Sequence, residues 1–316
     1  MVITLLLLAL LAFHSVLAAP LPLSGLVLPN SNLATPVTLS VASIQANLVR
    51  PAMFSQIAYC PSAKVLKWQC GASKCAAVSG VQVLQAGGDG GLVPYYYVAY
   101  DPTTQSIVVA HEGTNPLNIL SIANDLEFGL VNLNSTLFPH AGSGVQVHEG
   151  FQQTFGRTSD TILAAVKNGL HSKGARNVVV TGHSLGAAIA TMDAVMLRQQ
   201  LDPSISVTSV VFGLPRGGNV GWANFVDSTL GTSFTHVTNQ NDPVPTVPPE
   251  LFGYVHPSQE VHIVSANAVG ATTTVACPGR ENPHCSDGDS LLNINVANHL
   301  GPYFQDIVLS TTSCPL

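Results

Sequence analysis

Residues 177–181 form a β-branched run that passes directly into Gly182-His183-Ser184-Leu185-Gly186 and then into an apolar helical stretch over 185–201. A strand that becomes a helix within so few residues leaves the chain few options. Such a strand is buried on both faces, and glycine is needed wherever strand and helix crowd each other at the turn. The surrounding sequence repeats the alternation. Ile162, Val166 and Leu170, spaced by four, mark a helix before this turn. Residues 207–212, 234–238 and 261–264 read as later strands, with a helix over 222–230. Upstream, 81–85, 95–101 and 106–111 are β-branched or aromatic runs separated by Gly, Asp and Pro. Residues 37–59 have helical spacing interrupted by Pro51, which predicts two short helices. Together these elements predict an α/β fold, a mostly parallel twisted sheet with helices on both faces.

No repeat or composition break divides the chain, so 19–316 reads as one domain. Within it, 19–36 is rich in Pro, Leu and Ser and reads as a propeptide or an irregular arm. Residues 3–13 are almost unbrokenly apolar and are followed by Val16-Leu17-Ala18, the pattern of a signal peptide cleaved after Ala18. Beyond that leader, despite a mean hydropathy of +0.33, no apolar run reaches the ~18 residues of a spanning helix. Only 9% of residues are charged against 46% hydrophobic, which excludes a disordered chain. A net charge of −6, with no Lys/Arg cluster, excludes a nucleic-acid partner.

A secreted chain is an oxidised one, and its six cysteines are even in number. Cys70 and Cys75 are close in sequence, as are Cys277 and Cys285, which leaves Cys60 to join Cys314. The absence of any Cys-x-x-Cys pair argues against zinc, and nothing in the sequence calls for a cofactor or a metal. Asn134-Ser135-Thr136 is a glycosylation sequon, expected on a surface loop.

Gly182-His183-Ser184-Leu185-Gly186 in this strand-to-helix context reads as a nucleophile elbow. A serine hydroxyl is a weak nucleophile until a histidine takes its proton, and a carboxylate must orient that histidine. In this fold the acid and the histidine follow the serine in that order. Asp242 lies just past the strand 234–238, at the end of a strand, where active-site residues of parallel sheets gather. Asp193 falls inside the helix that begins at the nucleophile and is expected to point away from the cleft. Of the histidines that follow Asp242, His299 is in a late loop before Tyr303-Phe304 and is the preferred general base, with His256 its main competitor.

With Val147-His148-Glu149-Gly150-Phe151 upstream, the Pro-rich stretch after Asp242 and the segment 299–304, these motifs resemble the fungal class 3, filamentous-fungus type, triacylglycerol lipases, an α/β-hydrolase family. The resemblance runs from about residue 37 to 316 and includes the cysteine plan. It implies Ser184, Asp242 and His299 as the triad. It implies oxyanion donors at Thr114 and at the Leu185 N–H, and a short helical lid carrying Leu117, Ile119, Leu120 and Ile122. This chain departs from the pattern at Glu112, where relatives often carry a basic residue. It departs again at Asn298, where Asp is common, and at Gly301-Pro302, which alters the spacing to Tyr303. A lid with no charge favours a lipid–water interface. The implied activity is therefore that of a monomeric, secreted triacylglycerol lipase working on acylglycerol through an acyl-enzyme. A feruloyl or other short-chain carboxylesterase of the same fold is the rival enzyme, and a catalytically inactive secreted binding protein is the rival from outside catalysis.

Overall fold

Five parallel strands occupy the centre of a nine-stranded sheet in a computed structural model that describes residues 35–71, 74–114, 129–266, 272–289 and 293–314. The leader, the arm up to residue 34 and the lid positions Leu117, Ile119, Leu120 and Ile122 lie outside the described residues. The parallel strands are β4 (Ser106–His111), β7 (Asn177–His183), β8 (Ser206–Phe212), β9 (Phe234–Asn239) and β10 (Glu260–Ala266). On one side, β3 (Tyr96–Asp101) and β2 (Gln82–Gly87) run antiparallel to their neighbours. On the other, β11 (Thr272–Cys277) and β1 (Val37–Thr38) do so. The order is β1-β11-β10-β9-β8-β7-β4-β3-β2.

The period-two alternation of the strands divides the core between the two faces. Ile107, Val109, Val178, Val180, Val207 and Val211 pack with residues of the helices α4 (Glu149–Gly156), α5 (Ser159–Lys173), α6 (Leu185–Gln200) and α7 (Val220–Leu230). Val210, Phe212, Val237 and Ile263 face the opposite way, against the N-terminal helical run and the C-terminal segment. Val108, Ala110 and Val179 join that side around Phe54 and Ile57.

The N-terminal run departs from the sequence expectation. Pro51 does not break it: α1 (Val41–Ile44) passes through a π-helical turn, Gln45–Val49, into α2 (Arg50–Ile57), and a short α3 (Ser62–Val65) follows. Pro51 sits in the first turn of α2, where its missing N–H is tolerated. Val37–Thr38, the start of the stretch 37–59 read as helical, instead form strand β1 on the edge of β11. β11 and a two-stranded pair, β5 (Leu130–Asn132) with β6 (Gln146–His148), carry no sequence prediction. β1, β5 and β6 are two or three residues long, too short for alternation to register. α2 is fixed to β7 by hydroxyls, with Ser55 Oγ 2.7 Å from Thr181 Oγ1, which donates to the Val210 carbonyl at 2.6 Å. Cys60 is bonded to Cys314, Cys70 to Cys75 and Cys277 to Cys285. The first bridge closes a separation of 254 residues. In the loop-entropy treatment such a closure contributes roughly 5 kcal/mol. Asn134 is exposed in a turn in which its side-chain oxygen accepts the Thr136 N–H.

Candidate active site

Strand β7 ends and helix α6 begins at Ser184, whose φ of 61° and ψ of −128° lie outside the ordinary right-handed and extended regions. Such a backbone costs of order 1–3 kcal/mol and persists only where its surroundings enforce it. Here the enforcement is visible. A Cβ on Gly182 would lie 2.3 Å from the Gly186 carbonyl oxygen, and one on Gly186 would lie 2.3 Å from that of Glu112. The Ser184 N–H donates to the Phe212 carbonyl of the neighbouring strand at 2.9 Å. The serine is fully buried, and its hydroxyl has no hydrogen-bond partner among the described residues. Leu185 opens α6, so its N–H is one of the first-turn amides that no helical carbonyl can satisfy.

The turn after β9 carries Asp242, and the short helix α8 (Val296–Leu300) carries His299, which the sequence placed in a loop. His299 Nδ1 donates to Asp242 Oδ2 at 2.8 Å, and both side chains are completely buried. The other carboxylate oxygen accepts the Val244 N–H at 2.9 Å. His299 Nε2 has no partner among the described residues. The two segments are stitched together: Asn239 Nδ2 donates to the Asn298 carbonyl at 2.7 Å, and the Asn295 N–H to the Asn241 carbonyl at 3.0 Å.

Directly after β4 come Glu112, Gly113 and Thr114. A Cβ on Gly113 would lie 2.6 Å from both the His183 carbonyl oxygen and Ser184 Cβ, so this stretch rests against the elbow. The end of β4 is tied to α6 by a buried pair, His111 Nε2 to Asp193 Oδ2 at 2.7 Å. Burial raises the Asp193 pKa above the usual carboxylate range. Asp193 thus belongs to the support of the segment that carries Thr114. Burial also pushes Glu112 up to about 7, with Asp89 adding to the rise.

The sequence profile of the family Lipase (class 3) matches residues 108–252, a stretch that takes in Thr114, Ser184 and Asp242. The secreted mono- and diacylglycerol lipase MDL3 of Malassezia globosa is 34% identical over 222 residues, 69% of this chain and 70% of the relative. The chain belongs to the class 3 lipases. Another member, the secreted mono- and diacylglycerol lipase LIP1 of the same fungus, is 36% identical over 65% of this chain and 66% of its own length. Among solved structures, lipase II from Rhizopus niveus superposes with a TM-score of 0.75 at 26% identity, over 88% of this chain and 99% of that one. Lip2 lipase from Yarrowia lipolytica does so with 0.75 at 26%, over 90% and 99%. These likenesses extend the α/β-hydrolase architecture over most of this class 3 lipase.

The competing histidine, His256, is taken up elsewhere. Its Nε2 donates to the Pro245 carbonyl at 2.8 Å and its ring stacks on His236 at 4.9 Å. Sequence reasoning missed four residues that border the site of this lipase: Tyr59, Asn239, Tyr303 and the His183 side chain. Of these, His183 lies at the variable position of the elbow and Tyr303 in the segment 299–304, but neither motif assigns the side chain a role, and no spacing points to Tyr59 or Asn239.

Proposed function

We propose that this chain is a secreted carboxylic-ester hydrolase that cleaves acylglycerols at a lipid–water interface through an acyl-Ser184 intermediate. One observation carries the proposal: in a buried Asp242–His299 pair the imidazole Nε2, like the Ser184 hydroxyl, has no partner among the described residues. Asp242 accepts the hydrogen bond from Nδ1–H, which keeps the proton on Nδ1 and leaves the Nε2 lone pair free. His299 takes the proton of Ser184 as the hydroxyl oxygen attacks the ester carbonyl. The carbonyl oxygen becomes an oxyanion, for which the Leu185 N–H at the positive end of α6 and Thr114 are the proposed donors. Collapse expels the alcohol, which leaves with the proton held by His299. A water that gives its proton to His299 then attacks the acyl carbon, and the bond to Ser184 Oγ breaks as His299 returns that proton to the serine and the acid is released.

Relatives named as secreted, the leader over 1–18, and three disulfides support an extracellular enzyme. Cleavage after Ala18, a single catalytic domain over 19–316, a glycan on Asn134, a monomeric state and an apolar lid at Leu117, Ile119, Leu120 and Ile122 belong to the same proposal. Among acylglycerols, relatives named for mono- and diacylglycerols and a solved structure named for a triacylglycerol lipase, 26% identical over 88% of this chain, support partial and full glycerides alike. Substituting Ser184→Ala is expected to abolish tributyrin hydrolysis; substantial residual activity would overturn the proposal. Rates on emulsified monoolein, diolein and triolein, with methyl ferulate as contrast, decide the substrate. Preference for the ferulate would replace the lipase by an esterase.

A further inference from the structure

We propose that His183 and Tyr59 are positioning residues for the general base, acting through the backbone carbonyl of His299. The inference rests on the triad proposed above and adds two buried residues that act through its backbone. His183 occupies the variable position of the elbow, and its side chain is completely buried. Its ring lies 4.4 Å from that of His299, tilted by 35°. Its Nε2 is 2.8 Å from the His299 carbonyl oxygen. A carbonyl can only accept, so Nε2 carries the proton and Nδ1 must accept. The Tyr59 hydroxyl, 2.5 Å from Nδ1, is then the donor. Burial supports these protonation states: it holds His183 neutral, its pKa well below the usual range, and keeps the Tyr59 phenol protonated.

The His299 carbonyl accepts a second bond, from the Tyr303 hydroxyl at 3.0 Å. Both of its lone pairs are therefore engaged. Asn239 holds the Asn298 carbonyl on one side and, at 3.3 Å, the Pro302 carbonyl on the other. The backbone that carries the base is thus fixed from three buried side chains: His183, Tyr303 and Asn239. At the other end of the chain of bonds, the Tyr59 hydroxyl lies against Gly113, where a Cβ would come within 2.5 Å of it. One ordered series, Tyr59 to His183 to the His299 carbonyl, joins the segment that bears Thr114 to the helix that bears the base. Simple space-filling would need neither the hydroxyl of Tyr59 nor the donor of His183. Positioning needs both, because misplacing a reacting group by ~1 Å can cost about 100-fold in rate.

The test uses the secreted full-length chain and three variants: Tyr59→Phe, which deletes one oxygen; His183→Leu, which deletes the donor; and His183→Gln, whose amide can still donate to the His299 carbonyl. Turnover of p-nitrophenyl butyrate, melting temperature and the rate of labelling by a fluorophosphonate are measured for each. The expected result is a loss in kcat of about tenfold for Tyr59→Phe and about 100-fold for His183→Leu, with KM unchanged and labelling slowed in parallel. His183→Gln should recover about tenfold over His183→Leu. Unchanged kcat in a folded Tyr59→Phe variant, an effect on KM instead of kcat, or a His183→Gln no better than His183→Leu would overturn the inference. If His183→Leu does not fold, Tyr59→Phe alone decides. Wild-type enzyme that fails to label at Ser184 would overturn the triad itself. Wild-type enzyme that labels at the same rate as Tyr59→Phe would overturn only the positioning role.

Discussion

Glu112 Oε1 accepts the main-chain N–H of Tyr95 at 2.8 Å, which ties a buried carboxyl to the start of β3, one residue from Gly113. An acid at this point would oppose an oxyanion if it were charged. Burial, however, lifts its pKa to about 7, so that below neutrality it stays protonated.

That shift has a sign. A carboxyl that titrates near 4.5 when unfolded and about 7 when folded contributes stability that is fully present below pH 4.5 and lost as pH rises through 7. Glu112→Gln removes this term. Its melting temperature relative to wild type should therefore rise between pH 4.5 and 7 and level off above. Its kcat relative to wild type should also rise through pH 7, where the wild-type loop gains a charge. A pH-independent difference in both measurements would refute the assignment.

Asp242→Asn keeps the shape of the acid but favours the tautomer with the proton on His299 Nε2. Loss of ~10,000-fold in kcat is expected, on the scale such a change produces in serine hydrolases, with KM little altered. Tributyrin kinetics at constant pH provide the check, and a loss below tenfold would remove Asp242 from its role.

His148 accepts the Gly150 N–H at 3.1 Å at the start of α4 and stacks on Phe151 at 4.3 Å. Burial lowers its pKa to about 4, and that of His236 likewise, with His256 adding to the latter. An unfolded chain binds these protons near pH 6.5 and the folded chain does not. Each therefore withdraws stability as pH falls from 6.5 to about 4, by as much as ~3 kcal/mol. His148→Asn retains a capping acceptor and should flatten this slope in denaturant titrations at pH 5 and 7, whatever it costs at neutral pH. An unchanged slope would count against a neutral buried His148.

Arg216 is buried and holds Glu281 through two bonds of 3.0 and 2.8 Å, Asp287 at 3.0 Å and the Thr246 carbonyl at 2.6 Å. It thereby ties the stretch after Asp242 to the loop closed by Cys277 and Cys285. Arg216→Met leaves the half-buried Glu281 and Asp287 carboxylates without their cation and should cost about 2–3 kcal/mol, roughly 4–6 °C in melting temperature. Calorimetry showing less than 2 °C would refute it.

Local chemistry made part of this protein readable. The turn at Ser184 could be read because glycines flank a serine between a β-branched strand and an apolar helix, and both features are local. The mostly parallel character of the sheet could be read because strands and helices alternate, and the placement of Asp242 past a strand end because it follows the run 234–238. Two cysteine pairs are close enough in sequence to suggest themselves. Periodicity is silent, however, about contacts between distant segments. The late loop before Tyr303-Phe304 favours His299 over His256, but the meeting with Asp242 is not local; the distance of 57 residues is bridged only when the turn after β9 and α8 come together. Tyr59 reaches His183 across 124 residues, and His111 reaches Asp193 across 82. Strand β1 exists because β11 offers it an edge, not because two residues prefer extended backbone. The sequence alone thus determined the class of fold and the turn that presents the serine, both set by neighbours along the chain. The tertiary structure decided which buried groups share a proton or a carbonyl, because those partnerships depend on which strands and helices come to lie side by side.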